Sequence, residues 1–226
     1  MNGRAAILAR IQSALARPTD VSIRGDSSTT ADRAFSRFLP RVGPDADALA
    51  RQFAENAASL HAEFHHVDSR DHLVERLREL ATENDWRTIA THDGPLAKPA
   101  SEALRVPLHC VGPDDDAATL AQCDAGISEC DALIAQTGSV LVTAASAGGR
   151  ALSVLTPHHV VLATRSQLTP DLPTAFELLA RKYADACPSM ISFITGPSRT
   201  GDIERTLVLG AHGPRRLTLF LLESEE

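Results

Sequence analysis

The stretch SMISFITGPSRTGDIERTLVLGAHGPR, residues 189–215, decides how the rest of the chain is read. Ile191 to Ile194 is a short apolar run of the kind that forms a buried strand, and it ends at Thr195. Gly196-Pro197-Ser198-Arg199-Thr200-Gly201 follows as a tight turn, and Asp202-Ile203-Glu204 then reads as the opening of a short helix. Strand, turn and helix N-terminus together make a site for an anion, because the first helical amides lack internal partners and the helix dipole favours negative charge there. Capping alone accounts for Ser198 or Thr200, but capping does not require Arg199, whose guanidinium suits a carboxylate or phosphate. Gly196 and Gly201 have the spacing of the two P-loop glycines. Asp202-Ile203 stands where Lys and Ser/Thr are needed, so a triphosphate cradle is not predicted.

Upstream, the chain alternates helix and strand. Leu49, Phe53, Ala57, Leu60 and Phe64 repeat at helical spacing and predict a helix over 45–63, with a strand over 64–67. Asp71 is the expected cap of a helix running to about Asn84, with Leu73, Leu77 and Leu80 facing inward. Strands are expected at 87–91 and 106–111, separated by a helix over 95–105, and a further helix continues to Asp124. This order predicts an α/β fold with a mostly parallel sheet covered on both faces. The pattern then tightens. Ala132 to Ala135 and Val140 to Val142 read as strands around a polar bend, Leu152 to Leu155 and His158 to Thr164 as two more, which together predict an antiparallel insertion beside the parallel sheet. Pro170 opens a helix to about Ala186, and Arg216 to Leu222 is a last strand.

The N-terminus differs from this body. Ile7, Leu8, Ile11, Ala14 and Leu15 form one stripe of an amphipathic helix that Pro18 ends, and residues 18–44 show no period. The expected division is a helix and linker over 1–43 and an α/β domain over 44–226.

Composition narrows the function. With 226 residues, 43% of them apolar and 23% charged, the chain has material for a substantial core. A net charge of −7 with no long basic run argues against nucleic-acid binding. No apolar run is long enough to cross a bilayer, so no membrane insertion is expected and a cytoplasmic location is. Cys110, Cys123, Cys130 and Cys187 contain no Cys-x-x-Cys pair and no iron–sulfur or zinc spacing, so no metal or cofactor is expected on this chain.

Two polar clusters carry the candidate chemistry. One is Gln136-Thr137-Gly138-Ser139 between apolar runs, with Arg150 after the next one. The other is Gly196, Ser198, Arg199 and Thr200 with Asp202, Glu204, His212 and Arg215. Together they are the expected pocket for a small anion, a carboxylate or a phosphate, with Asp202, Glu204 and His212 as the titratable candidates for acid–base work. No catalytic motif fixes a reaction.

Four blocks, AQTGSVLV, GRALSVLTPHHVVL, ITGPSRTGDIE and LVLGAHGPRRLTLFLL, resemble in order the signature blocks of the LUD domain, and more closely those of its lactate-utilisation C group. ILARIQSAL near the N-terminus resembles that group's first helix. The resemblance implies a three-layer α/β/α fold similar to the sugar-phosphate isomerase and CoA-transferase group. It also implies a role in oxidising L-lactate to pyruvate beside two partner proteins that carry the iron–sulfur clusters. A stand-alone enzyme on a phosphorylated or CoA-linked acid and a non-catalytic scaffold are the alternatives. The family's block usually reads Glu-Thr-Gly-Thr where this chain has Gln136-Thr137-Gly138-Ser139. The hydroxyl is kept at Ser139, but position 136 offers no carboxylate as a base.

Overall fold

A computed structural model describes residues 7, 8, 10, 12, 42, 43, 45–112, 117–203, 206–209 and 213–223. The chain divides into two compact units, Met1–Leu39 and Pro40–Glu226. In the first, Ile7, Leu8, Arg10 and Gln12 are helical and exposed. Residues 18–41 of the expected linker, Asp114 to Asp116, Glu204 and His212 lie outside the described residues.

The second unit is built on six parallel strands: β1 (Glu63–Val67), β2 (Ile89–Thr91), β3 (Leu108–Cys110), β4 (Ala125–Ser128), β7 (His158–Thr164) and β12 (Arg216–Leu222). Their order in the sheet is β1-β12-β7-β4-β2-β3. The long central pair, β7 and β12, runs in register from His158 opposite Arg216 to Thr164 opposite Leu222. A second, mixed sheet has the order β8-β5-β6-β9 and is made of β5 (Ala132–Ile134), β6 (Ser139–Thr143), β8 (Leu168–Thr169) and β9 (Ile191–Ile194).

Alternation along the strands assigns each face a cover. Val160, Leu162, Phe220 and Leu222 face one core with Leu73, Leu77 and Leu80 of α2 (Arg70–Glu83) and Ala97 and Ala100 of α3 (Ala97–Glu102). Val161, Ala163, Leu219 and Leu221 face the other core with Phe53 and Ala57 of α1 (Ala46–Ser59) and Leu133, Val140 and Val142 of the mixed sheet. Ala90 of β2 packs with Leu120 of α4 (Ala117–Ala121) and Leu152 of α5 (Leu152–Leu155). The outer face of the mixed sheet, through Ile134 and Leu141, holds Ala175 and Leu179 of α6 (Leu172–Lys182). The expected antiparallel insertion therefore packs on a face of the parallel sheet instead of at its side.

Several local expectations are corrected. Arg199–Ile203 is strand β10, paired antiparallel with β11 (Thr206–Leu209), so no helix opens at Asp202. Gly201 is a poor helix former and Thr206-Leu207-Val208-Leu209 is rich in strand formers, and the hairpin satisfies both. Leu152–Leu155 is a helical turn, a four-residue apolar run whose period cannot separate strand from buried helix. His158–Thr164 belongs to the parallel sheet, not to the insertion. Ala125–Ser128 escaped notice because Ala-Gly-Ile-Ser is short and has low strand propensity, yet it is fully buried. Ser69, not Asp71, caps α2, accepting from the His72 amide at 3.2 Å from an extended backbone. Asp71 sits in the first turn, where it meets the positive end of the dipole.

Candidate functional site

The two polar bends meet. Ser139 Oγ and Thr195 Oγ1 lie 2.8 Å apart, joining the β5–β6 bend to the start of the Gly196 turn. Both rest on the C-terminal end of α1. The Asn56 amide donates to the Ala135 carbonyl at 2.7 Å and to the Gln136 carbonyl at 3.1 Å. Gly138 has φ +65, and a Cβ there would stand 2.8 Å from the Ala57 nitrogen. Gly196 has φ +85 and approaches the Leu60 carbonyl just as closely. Both glycines are thus required twice over, by backbone conformation and by space.

Arg199 has a structural partner that sequence reasoning missed: its guanidinium donates to the Leu60 carbonyl at the end of α1. Ser198 donates its amide to the Pro214 carbonyl at 2.9 Å, and Arg215 its amide to the Pro157 carbonyl at 2.8 Å. Thr200 and Asp202 lie on β10. The Thr137 hydroxyl is buried and finds no hydrogen-bond partner among the described residues.

Arg150 lines a different place. A cavity of about 530 Å³ opens at the C-terminal ends of β2 and β3, bounded by His92, Asp93, Gly148, Gly149, Arg150 and Ser189 among others, and neither bend lines it. From β2 the chain moves outward to β3, whereas β4, β7 and β12 proceed the other way. The β2/β4 boundary is therefore a topological switch point, and the cavity lies next to it, over the ends of β2 and β3.

His92 follows β2 directly, and Glu129 follows β4. The Glu129 amide donates to His92 Nε2 at 3.2 Å, so the neutral ring carries its proton on Nδ1. Burial lowers the His92 pKa and keeps the ring neutral. Glu129 Oε1 accepts from the Leu96 and Ala97 amides at 2.8 and 2.9 Å, fastening the start of α3. Gly148, with φ +63, lies so near His92 that a Cβ would stand 2.2 Å from the histidine Cβ. The signal for this crevice is the triplet His92-Asp93-Gly94 at a strand end, legible only once strand order is known.

The glycine turn that walls the cavity is held from behind. Asp131, its side chain fully inaccessible, accepts from Lys182 Nζ at 2.6 Å, Tyr183 OH at 2.7 Å and Ser146 Oγ at 2.7 Å. Burial pushes its pKa up, but the hydrogen bonds from Lys182, Ser146 and Tyr183 outweigh it and hold the carboxyl below its usual range.

Among the described residues, no group of three or more His, Cys, Asp or Glu is gathered to hold a metal ion. Cys123 and Cys130 are buried, and burial raises both thiol pKa values, which disfavours the thiolate that ligates metals. No described helix is long and apolar enough to cross a membrane.

The family model of the LUD domain matches residues 50–222. "Lactate utilization protein C" of Halalkalibacterium halodurans is 36% identical over 104 residues, 45% of this chain and 45% of that protein. The protein of the same name from Bacillus licheniformis is 30% identical over 112 residues, 49% of this chain and 47% of the relative. That of Bacillus subtilis is 31% identical over 103 residues, 45% and 43%. The chain spans about half the length of the curated relatives it matches. Among solved structures, the crystal structure of a DUF162 family protein from Deinococcus radiodurans superposes with a TM-score of 0.63 at 21% identity, covering 80% of this chain and 99% of that one. That likeness shows the fold.

Proposed function

The chain belongs to the LUD domain family, and from that membership we propose that it is a subunit of an iron–sulfur-dependent system that oxidises L-lactate to pyruvate. The relatives named for lactate utilisation support the pathway. The observation that carries it to a site is spatial: motif blocks far apart in sequence touch. Ser139 meets Thr195 at 2.8 Å, Ser198 bonds Pro214, and Arg215 bonds Pro157. In this reading the lactate carboxylate is held near the junction of the Gln136–Ser139 bend and the Gly196–Thr200 turn. Asp202, Glu204 and His212 are the titratable groups of the same blocks.

Oxidation of lactate releases two electrons and two protons. The electrons pass to iron–sulfur clusters on two partner proteins, and the system works in the cytoplasm. The finer architecture that accompanies this reading is the α/β/α fold of the sugar-phosphate isomerase and CoA-transferase group. A second reading, a stand-alone enzyme on a phosphorylated or CoA-linked acid, is favoured by one observation: the cavity of about 530 Å³ is much larger than lactate needs.

The test is reconstitution. The purified chain is combined anaerobically with candidate iron–sulfur partner proteins from the same organism, and pyruvate formed from L-lactate is measured with a dye as electron acceptor. Pyruvate formation that requires this chain supports the reading; an equal rate without it overturns the reading.

A further inference from the structure

We propose that the crevice beyond the C-terminal ends of β2 and β3 binds a nucleoside phosphate, with the phosphate at Arg150, the ribose hydroxyls at Asp93 and the base against Val111, Leu120 and Ala151. The inference goes beyond the lactate reading and does not depend on it.

Size comes first. At about 530 Å³ the cavity falls in the range of about 300–1,000 Å³ that encloses ligands of cofactor size. Lactate would leave most of it to water. Location comes second, because the crevice lies beyond the C-terminal ends of two parallel strands, the end of the sheet at which α/β folds hold ligands.

The lining then divides into three kinds of surface. One wall is the glycine turn. Gly149, at φ +113, has nothing within 4 Å of where a Cβ would be, and Gly148 is pressed against His92. The turn thus presents bare backbone, followed at once by the exposed Arg150, a combination that suits a bulky anionic group. The second surface is Asp93, just past the end of β2. Lys98 holds its Oδ1 at 2.8 Å and keeps the carboxylate ionised, an acceptor for hydroxyls. A simple dianion gains little from such a neighbour, whereas a ligand that carries hydroxyls at a distance from its phosphate gains a contact. The third surface is Val111, Leu120 and Ala151, an apolar rim for a flat ring. His92 closes the floor as an uncharged imidazole fixed by Glu129.

Free mononucleotides and the nucleotide end of CoA share this chemistry, and titration calorimetry on the full chain with AMP, CoA, adenosine, inorganic phosphate and L-lactate separates them. AMP or CoA is expected to bind at one site per chain, with adenosine and phosphate each weaker. Arg150→Gln should weaken AMP or CoA by about ten- to a hundredfold and leave adenosine unchanged. Asp93→Asn should weaken AMP or CoA and leave phosphate unchanged. Arg150 and Asp93 are exposed, so neither substitution disturbs the core, and an unchanged circular dichroism spectrum verifies this. Tighter AMP than CoA binding assigns the site to a free mononucleotide, and the reverse assigns it to CoA, either one in support. No binding of AMP or CoA at millimolar concentration, affinity unaffected by Arg150→Gln, or L-lactate binding more tightly than AMP and CoA at Arg150 would overturn the proposal.

Discussion

His158 and His159 are neighbours on β7 whose side chains enter opposite cores, and each is held neutral. His158 Nε2 meets Thr218 Oγ1 at 2.8 Å and its ring stands edge-on to Trp86, while His159 Nε2 meets Ser128 Oγ at 2.9 Å. Burial lowers their pKa values from 6.5 to about 4 and about 3. The sign follows from linkage. As pH falls below 6.5 the unfolded chain takes up both protons while the native state does not, so stability is undiminished above 6.5 and is lost as pH falls toward 4. Each histidine costs about 1.4 kcal/mol per pH unit in that window, or about 2 kcal/mol at pH 5. Urea unfolding at pH 7 and pH 5 should show a loss of about 4 kcal/mol in the native chain and about half of it in His159→Gln. An equal loss in both would show that His159 is protonated in the native state. At this scale the sequence was least legible. In the sequence Arg199 reads as a charge that packing does not need, yet its guanidinium donates to the Leu60 carbonyl. His92 and Glu129 went unnoticed because their neighbours in space lie 37 positions away along the chain.

The β5–β6 hairpin is fixed by contacts that its own sequence does not contain. Asn56 of α1 supplies the donors for the Ala135 and Gln136 carbonyls, and Gly138 fits under Ala57 only because it has no Cβ. Asn56→Ala should destabilise the fold by about 1–3 kcal/mol, since it leaves two carbonyls without those donors. Gly138→Ala should cost about 1–3 kcal/mol from backbone strain alone, with steric overlap adding to it. Thermal unfolding of the two variants tests this, and midpoints within error of the native chain would contradict the packing described. Elements with a clear period or a strong cap were legible from the sequence: α1, α2, β7 and β12 stand where helical or apolar runs put them. Those that escaped, β4, α5 and β10, are four or five residues long, too short for a period to distinguish strand from helix, and tertiary contacts decide them.

In the whole molecule, alternation of helix and strand announced the parallel sheet, but strand order was hidden, because pairing is set by long-range packing. That order brings the ends of β2 and β3 together under the Arg150 crevice, which neither bend lines. The amphipathic segment and linker at the N-terminus carry an independent expectation. A chain lacking residues 1–39 should stay folded, with an unfolding midpoint within about 5 °C of the full chain, as circular dichroism would report. Loss of cooperative unfolding would mean that the body depends on that segment. The central claim, membership of a lactate-oxidising system, is tested most directly by growth. The gene is deleted in the organism that carries it, and growth on L-lactate as sole carbon source is measured with and without the chain restored. Growth lost on deletion and regained on restoration, with growth on pyruvate unaffected, is the predicted result; a deletion strain that grows on L-lactate as its parent does would contradict the claim.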